Sequence, residues 1–306
     1  MPKIAVIGSY VVSLTVRVPR KPVMGEALIG DLFDMGPGGK GTNQAIAAAR
    51  LGAQVDLLAC LGDDSFADSA DQLYARESVA TDHVHRISGT NTGVGMVTLL
   101  PSGENSIVGH LGANLLLDPH HVEEFEPVIA RSDTLMAQLE VPLESVTRAL
   151  ELGRKHSVLT ILNPAPGQTL QPDALAHVDV LTPNESETRI LLGLPPDCPT
   201  PTEDLAGRLL DLGVETIIVT RGEEGSLMVT ARGIETVPPT PVQALDVTGA
   251  GDSFNAALAV GLAEGKDLRA AVMQANRAGA FTTTHLGVID GLPTRAELRD
   301  FGGTSE

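Results

Sequence analysis

The chain has 306 residues, of which 42% are hydrophobic, and its formal net charge is −18, from 21 Lys and Arg against 39 Asp and Glu. This acidity argues against a nucleic-acid partner or an anionic membrane surface, because both are bound by cationic faces. No apolar run approaches the roughly 18–20 residues that a membrane span needs. We therefore expect residues 1–306 to form one large α/β domain with a small appendage.

The first residues and the two cysteines bear on the cellular compartment. Residues 1–8 hold one cation and a short apolar run without a small-residue cleavage site, which favours a buried first strand over a signal peptide. Cys60 and Cys198 lie far apart in sequence and fit no metal-ligand or redox spacing. We expect ordinary thiols in a reducing compartment, and hence a cytoplasmic protein.

Short apolar runs alternate with helical patterns along most of the chain. Strands that alternate with helices imply parallel pairing, with helices on both faces of the sheet. The predicted fold is therefore α/β with a mainly parallel central sheet, and its ligands should bind beyond the carboxyl ends of the strands. The predicted strands span 4–7, 55–60, 134–139, 158–162, 180–181 and 216–220, and the predicted helices span 43–51, 65–77, 143–155, 185–192 and 203–212.

Two stretches break this alternation. Residues 11–18 with 28–35, and residues 94–108 around the turn Pro-Ser-Gly-Glu at 101–104, are typical of partly exposed antiparallel strands. We expect them to form a small antiparallel β lid, drawn from about 11–35 and 92–110. Such a sheet leaves edges to cover, and a two-fold partner is a common way to cover them. The sequence thus predicts a homodimer through the lid.

Residues 246–254 read Asp-Val-Thr-Gly-Ala-Gly-Asp-Ser-Phe and precede an apolar helical pattern. Glycines let the backbone approach a ligand, and the first turn of a helix offers unpaired N–H groups at its positive end. Gly249, Ala250 and Gly251 can therefore hold a transferring phosphoryl group. Asp252 would lie beside this anion hole, where it could accept a hydroxyl proton. The alternative is a plain glycine-rich turn with a capping aspartate, which the full string and Asp246 disfavour.

This string resembles the signature of the ribokinase-like sugar kinases, also called the PfkB carbohydrate kinase family, and the resemblance covers nearly the whole chain. Residues 36–45, Gly-Pro-Gly-Gly-Lys-Gly-Thr-Asn-Gln-Ala, are similar to the family's other signature. They are not a P-loop, because the lysine is followed by glycine rather than by the Ser or Thr that binds magnesium. Further similar segments are 135–140, 162–166 and 181–185. The resemblance implies sugar contacts at Gly38, Gly39, Lys40, Gly41, Asn43 and Glu140, besides Asp252.

The resemblance also implies a site for MgATP. Asn184 and Glu187 match the family's Asn-x-x-Glu element, which organises Mg²⁺ and the phosphates. Alone, these two residues would be a helix cap and a solvated glutamate. Asn276 matches a position that lines the adenine site, with an exposed helical Asn as the alternative. The remaining positions implied in nucleotide binding are Thr220, Gly222, Gly225 and Gly251.

A monovalent cation, usually potassium, is a further implication of the family resemblance, and it would lie beside the anion hole. Backbone carbonyls supply much of its coordination, so the identity of the side chains is only weakly informative. Asp246 and Thr248 would form one side of the site. The other side would comprise Thr282, His285, Gly287 and Gly291.

The first strand is followed by a departure from the family. Val11 and Ser13 stand where ribose-phosphorylating members carry an Asn and an Asp that hold ribose hydroxyls. Serine offers a weaker, shorter group and valine none, and each lost charged hydrogen bond costs about 1.5–3 kcal/mol. Ribose should therefore bind poorly unless other groups compensate. Another pentose, a deoxy sugar, a ketose or a nucleoside stays open as the acceptor.

The predicted function is transfer of the γ-phosphoryl group of MgATP to a primary hydroxyl of a small sugar, with Asp252 as general base. A nucleoside kinase would need aromatic lid residues to stack on a base, and only 3% of the chain is aromatic. Tyr10 could supply a hydroxyl or a stacking face, or could simply pack the lid. A non-catalytic sugar-binding or nucleotide-binding protein of the same fold is a second alternative, disfavoured by the presence of the base and both signatures.

Overall fold

The computed structural model describes residues 1–102 and 104–301, so position 103, in the turn of the predicted lid hairpin, and positions 302–306 lie outside the description. The described chain folds into a large sheet, a small sheet and flanking helices. The strands are β1 Lys3–Ile7, β2 Val11–Arg17, β3 Leu32–Gly38, β4 Gln54–Leu61, β5 Ala80–Arg86, β6 Gly93–Leu99, β7 Asn105–His110, β8 Thr134–Ala137, β9 Leu159–Leu162, β10 Val180–Leu181, β11 Thr216–Thr220, β12 Ser226–Thr230 and β13 Gly233–Val237.

The large sheet has nine strands in the order β13-β12-β11-β10-β9-β8-β1-β4-β5. Every pair from β11 to β5 is parallel, and only β12 and β13 run antiparallel to their neighbours. The central strand β1 sets the register, with Val6 opposite Leu57 on β4 and Met136 on β8. The predicted mainly parallel sheet is confirmed.

Helices cover both faces of this sheet. Because side chains alternate along a strand, Ile4 and Val6 pack against helices on one face, while Ala5 and Ile7 pack against helices on the other face. A strand buried on both faces reads as a continuous apolar run. The helices are α1 Lys40–Arg50, α2 Ser65–Arg76, α3 Pro119–Ile129, α4 Leu143–Lys155, α5 Pro172–Leu175, α6 Glu185–Leu191, α7 Thr202–Asp211, α8 Ala250–Ala263, α9 Leu268–Thr283, α10 Val288–Gly291 and α11 Arg295–Asp300.

The small sheet has four strands in the order β3-β2-β6-β7. Its two outer pairs are antiparallel, as predicted, whereas the central pair β2–β6 is parallel. Parallel pairing is possible here because residues 18–92 form a long crossover between the two strands. Strand β3 extends to Gly38 rather than ending near 35, and Pro37 is tolerated because β3 is an edge strand.

Helix α8 carries the 246–254 motif and is buried almost all round, including Ala256, Ala257 and Ala259. Small residues let α9 pack closely along it. A side chain at Gly279 would lie 3.1 Å from the carbonyl oxygen of Ala250, at the start of α8. The position of this helix start is therefore fixed by packing. Within the described residues, none of the helices combines the length and the apolar character that crossing a bilayer requires.

Helix α1 begins in close contact with the turn after β1, and this contact generates a stability prediction. A Cβ added at Gly41 would lie 2.4 Å from the backbone nitrogen of Ser9 and 2.5 Å from the Cα of Gly8. Gly41→Ala should therefore lower the free energy of unfolding by about 1–3 kcal/mol, measured by chemical denaturation.

Gly207→Ala is the matched control, because Gly207 lies inside helix α7, where a Cβ added to it would meet no atom within 4 Å beyond its chain neighbours and the backbone of its own helix. That change should stabilise the protein by about 0.5–1 kcal/mol, as alanine is the better helix former. Equal effects of the two substitutions would contradict the close packing of α1 on the turn.

Candidate active site

Polar side chains meet at the carboxyl edge of the large sheet. Asn163 follows β9 and Thr182 follows β10, and the two are joined because Asn163 Nδ2 donates to the Thr182 carbonyl at 3.1 Å. Glu140 follows β8 and Lys40 begins α1, with the Lys40 backbone N–H donating to Glu140 Oε2 at 2.8 Å. Asp252 reaches the same group from the first turn of α8. Ligands of parallel sheets bind at this edge.

Asp252 is only 6% exposed and both of its carboxylate oxygens are paired. Asn43 Nδ2 donates to Oδ2 at 2.7 Å, and Gln44 Nε2 donates to Oδ1 at 3.0 Å. Burial raises the pKa of Asp252, and the charge of Glu140 adds to this rise, while Lys40 and the two amide hydrogen bonds oppose it. The predicted base thus lies in a site that moves its pKa towards neutrality while keeping partners for the ionised form.

Lys40 is the positive charge of the site. Burial acts to lower the pKa of its ammonium, but Asp252, Glu140 and Glu187 outweigh burial, and the pKa lies above its ordinary value. Lys40 is therefore charged at neutral pH. Across residues 1–102 and 104–301, no carboxylate approaches its Nζ within 4.0 Å, so the ammonium is shared among three acids rather than held by one.

Glu140 has the partner that a part-buried carboxylate needs. Ser9 Oγ donates to its Oε2 at 2.5 Å, beside the bond from the Lys40 amide. Ser9 in turn accepts, through its carbonyl, from the backbone N–H of Thr42 at 2.9 Å and from the Thr42 hydroxyl at 2.8 Å. These contacts bind the turn after β1 to the start of α1, so Glu140 and Lys40 are held together.

The glycine loop before α8 supplies free backbone amides. Gly249, with φ of 81°, is in the left-handed region that favours glycine, and it forms the N-cap of α8. The Ala250 N–H donates to the Val247 carbonyl at 3.3 Å, whereas the N–H groups of Gly249, Gly251 and Asp252 donate to no acceptor in the part of the chain that is described. Unpaired amides at a helix start form an anion site.

The nucleotide-side pair Asn184 and Glu187 forms a reciprocal cap at the start of α6. Asn184 Oδ1 accepts from the Glu187 N–H at 2.8 Å, and Glu187 Oε2 accepts from the Asn184 N–H at 2.8 Å. The helix cap, which the sequence offered as the alternative role of Asn184, is therefore formed. Burial raises the pKa of Glu187, and Asp252 adds to this while the Asn184 amide and Lys40 oppose it. The cap thus also lies within electrostatic reach of the base.

The other predicted nucleotide positions cluster around the end of β11. Thr220 ends that strand, and Gly222 and Gly225 form the turn into β12, where a side chain at Gly225 would lie 2.3 Å from the Val237 carbonyl oxygen. Asn276, on α9, contacts the first residue of β12 and the residue that follows β13. Its Nδ2 donates to the Pro238 carbonyl at 3.0 Å, and its Oδ1 accepts from Ser226 Oγ at 2.5 Å. Asn276 therefore fastens the end of β13 to α9.

The two predicted sides of the cation site are neighbours. Asp246 Oδ1 accepts from the Thr248 amide at 2.9 Å and hydroxyl at 2.7 Å, and Asp246 Oδ2 accepts from the Gly287 N–H at 3.2 Å. A side chain at Gly291 would lie 3.2 Å from the Thr282 carbonyl oxygen.

His285 lies in the same segment, but its ring is engaged with the end of α9. The ring stacks on Phe281, and its Nδ1 lies 3.1 Å from the Phe281 carbonyl. The Nδ1 atom of the His285 ring therefore faces the end of α9.

Val11 and Ser13 lie on one face of β2, whose neighbours on β3 and β6 are glycines. Val11 is opposite Gly38, and Ser13 is opposite Gly36 and Gly95. Side chains at Gly36, Gly38 and Gly95 would meet nothing closer than 3.5 Å, whereas a side chain at Gly93, the β6 partner of Val11, would lie 2.6 Å from Asn114 Nδ2. The face is therefore open around Ser13 but closed on the β6 side of Val11.

Tyr10 packs rather than binds, because it is 1% exposed and its ring lies edge-on to Tyr74. Burial, with a contribution from Asp64, raises the pKa of Tyr10 to about 12. Its backbone is fastened as well, since the Tyr10 N–H donates to Asn114 Oδ1 at 3.0 Å.

A group of buried polar side chains beneath the base was not predicted from the sequence. Gln44, Gln138 and Asn163 form a hydrogen-bonded set with Asp252. Asn255 lies next to them on α8, with its Nδ2 donating to the Gly251 carbonyl at 2.8 Å. The signal that could have found Gln44 is the run Thr-Asn-Gln at 42–44, three polar residues in succession ahead of a helix of apolar residues.

Comparison with known proteins agrees with this geometry. Residues 1–295 match the pfkB family of carbohydrate kinases. The chain is 38% identical over 300 residues to ribokinase of Bacillus subtilis, covering 98% of this chain and 99% of the relative. It is 36% identical over 304 residues to deoxyribokinase of Salmonella typhi, covering 99% of each. Arabidopsis thaliana ribokinase, solved with ribose and ATP, superposes with a TM-score of 0.90 at 27% identity and 99% coverage of both chains.

The chain therefore belongs to the pfkB family of carbohydrate kinases. The predicted family, the predicted fold and the predicted class of enzyme, a sugar kinase, are confirmed.

Proposed function

We propose that this kinase transfers the γ-phosphoryl group of ATP to a primary hydroxyl of a small sugar, with Asp252 as the general base. The observation that carries the proposal is the environment of Asp252. Its carboxylate is buried and accepts a hydrogen bond at each oxygen, and its backbone belongs to the first turn of α8, where the N–H groups of Gly251 and Asp252 have no acceptor among the described residues. A structure of the relative from Arabidopsis thaliana contains ribose and ATP, which supports both substrates.

Each group of the site has a part in the transfer. Phosphoryl transfer has a loose, highly charged transition state, so positioning and charge stabilisation dominate catalysis. The attacking sugar oxygen forms a bond to the γ-phosphorus as its bond to the β-bridging oxygen of ATP breaks, and Asp252 takes the hydroxyl proton. The free N–H groups at Gly249, Gly251 and Asp252 face the charge on the transferring group. Lys40, not fixed to one acid, adds positive charge.

Two cations fit the residues present. Mg²⁺ would be held chiefly by the phosphates beside Asn184 and Glu187, the reciprocal cap of α6 that lies within electrostatic reach of Asp252. When bound with ATP, Mg²⁺ neutralises phosphate charge. K⁺ would lie between Asp246 with Thr248 and the segment of Thr282, Gly287 and Gly291, where Asp246 already joins the two sides. Backbone carbonyl oxygens are common ligands of K⁺.

Asp252→Asn tests the assignment of the base. Asparagine keeps the size of the side chain but cannot accept the proton, so the rate of sugar-dependent ADP release should fall at least about a hundredfold. Binding of sugar and nucleotide, measured by calorimetry, should persist.

Asp211→Asn is the control, because Asp211 is exposed at the end of α7, and it should keep its rate within about twofold. Near-normal turnover of Asp252→Asn would exclude Asp252 as the base.

The acceptor follows from Val11 and Ser13. We infer a sugar that needs fewer charged contacts at this face than ribose does, such as a deoxy sugar or a ketose. Both ribokinases and deoxyribokinases are among the relatives, so the comparisons leave these acceptors open. A nucleoside is disfavoured, because the described residues on the Val11 face of β2, β3, β6 and β7 include no aromatic side chain.

A screen of ADP release over pentoses, deoxy sugars, ketoses, hexoses and nucleosides, with and without K⁺, tests the acceptor and the cation together. Ribose should show a kcat/KM about ten- to a hundredfold below the best acceptor, the cost of one lost charged hydrogen bond. Activity confined to ribose at ordinary affinity would contradict our interpretation of Val11 and Ser13. Equal rates of ADP release with and without K⁺ would contradict the proposed potassium site.

The opposite face of the small sheet supports the proposed homodimer. Met35, Leu14, Met96 and Val108 lie in one row across its four strands. Three of them are strongly exposed, at 52% for Met35, 61% for Met96 and 72% for Val108. A contiguous apolar row of this kind marks an interaction surface, and a second copy of the same sheet could cover it through two-fold symmetry.

Adjacent substitutions on β7 test the dimer. Val108→Glu would place a charge on the apolar row and should shift the molar mass by light scattering towards that of a monomer. Ile107→Glu is the matched control, since Ile107 is opposite Val97 on the other face and is 62% exposed. A monomeric parent, or equal dissociation of both variants, would contradict the interface.

A further inference from the structure

The base is held by a chain of buried side-chain amides that the phosphoryl-transfer mechanism above does not use. Gln44 Nε2 donates to Asp252 Oδ1 at 3.0 Å and to Asn163 Oδ1 at 3.1 Å. Gln44 Oε1 accepts from Gln138 Nε2 at 2.6 Å. Gln44, Gln138 and Asn163 are 7% exposed or less, so water does not compete for these bonds.

The amides in this chain can point only one way. Asn163 donates through Nδ2 to the backbone carbonyl of Thr182, which can only accept, so Asn163 Oδ1 must face Gln44. Gln44 therefore presents its NH₂ group to Asn163, and the same group reaches Asp252. The side-chain carbonyl oxygen of Gln44 accepts the hydrogen bond from Gln138. A fixed backbone carbonyl thus determines that Asp252 meets a donor and never an acceptor.

Gln44 and its neighbour Asn43 differ in what they have left to offer. Both amide hydrogens and the carbonyl of Gln44 have partners, so Gln44 has no group free for a substrate. Asn43 donates to Asp252, but its Oδ1 is buried without a hydrogen-bond partner within residues 1–102 and 104–301. Asn43 therefore keeps an acceptor without a partner, whereas Gln44 keeps none and suits a purely internal role.

From this geometry we infer that Gln44 is a positioning residue for the proposed base, oriented by Gln138 and Asn163. It donates to one oxygen of Asp252, which fixes the plane of the carboxylate and favours its ionised form over its protonated form. The inference rests on the proposed role of Asp252. It adds a group that touches no substrate, and the effect of that group should appear in the pH dependence of the reaction.

Gln44→Met tests the inference, because methionine keeps the length of the side chain and donates no hydrogen bond. Without this donor the plane of the Asp252 carboxylate is no longer fixed, and this loss of orientation should lower kcat about ten- to a hundredfold. The pKa of Asp252 should rise, so the acidic limb of the kcat/KM profile should move to higher pH by about one unit. The KM for the sugar should change little, whereas Asn43→Ala should raise it.

Gln138→Met is a second variant that does not touch Asp252. It removes only the donor that occupies the Gln44 carbonyl, so the acidic limb should move in the same direction by a smaller amount. A merely structural role would lower the thermal unfolding temperature of both variants and leave the acidic limb in place. An unmoved limb in a folded Gln44→Met protein would overturn the inference.

Asp252→Asn, measured in parallel, separates this inference from the proposed function. If Asp252→Asn keeps its turnover, the base assignment fails and the positioning role falls with it. If Asp252→Asn is inactive while Gln44→Met keeps the parent's kcat and pH profile, the base assignment stands and only the positioning role is wrong.

Discussion

The site depends on how the charge of one buried carboxylate, that of Asp252, is stabilised. An ionised Asp252 shielded from water would be costly unless charge and hydrogen bonds offset the loss of solvation. Lys40 supplies the charge, and Asn43 and Gln44 supply a hydrogen bond to each oxygen. All three come from the first five residues of α1, so the approach of α1 to the β1 turn and of α8 to α9 brings Asp252 and its partners together. Glycines with close backbone contacts, Gly41 and Gly279, lie at these two places.

Much of the fold could be predicted from the sequence, because strands buried on both faces leave continuous apolar runs. The strand at 216–220 and the helix at 143–155 match β11 and α4 to the residue. Strand β5 was missed because Ala80–Arg86 is an edge strand with a polar sequence, and hairpin β12–β13 carries no strong turn signal. The β2–β6 pairing also escaped prediction, since parallel partners 82 positions apart leave no local pattern between Val11 and Gly93.

The site residues that the sequence predicted are those that belong to short sequence motifs. The glycines, Lys40 and Asp252 belong to short strings, and the structure brings the charges of Lys40 and Asp252 within electrostatic reach of each other. Gln44, Gln138 and Asn163 come from three separate elements, and an isolated Gln or Asn has no sequence pattern that reveals a buried partner. Asn184 and Glu187 show the opposite case, in which the structural role of a helix cap and the proposed role beside the phosphates belong to the same two residues.

The open surface beside Ser13 has a consequence for how such an enzyme can diversify. Gly36 and Gly95 leave space next to Ser13, whereas Gly93, beside Val11, is packed against Asn114. Asp252 and its amide partners lie on other elements, and the hydrogen bonds described for Asp252 come from α1 rather than from the small sheet. The proposed acceptor contact at position 13 and the proposed base therefore form separate modules, so a substitution at position 13 can change the first without disturbing the second.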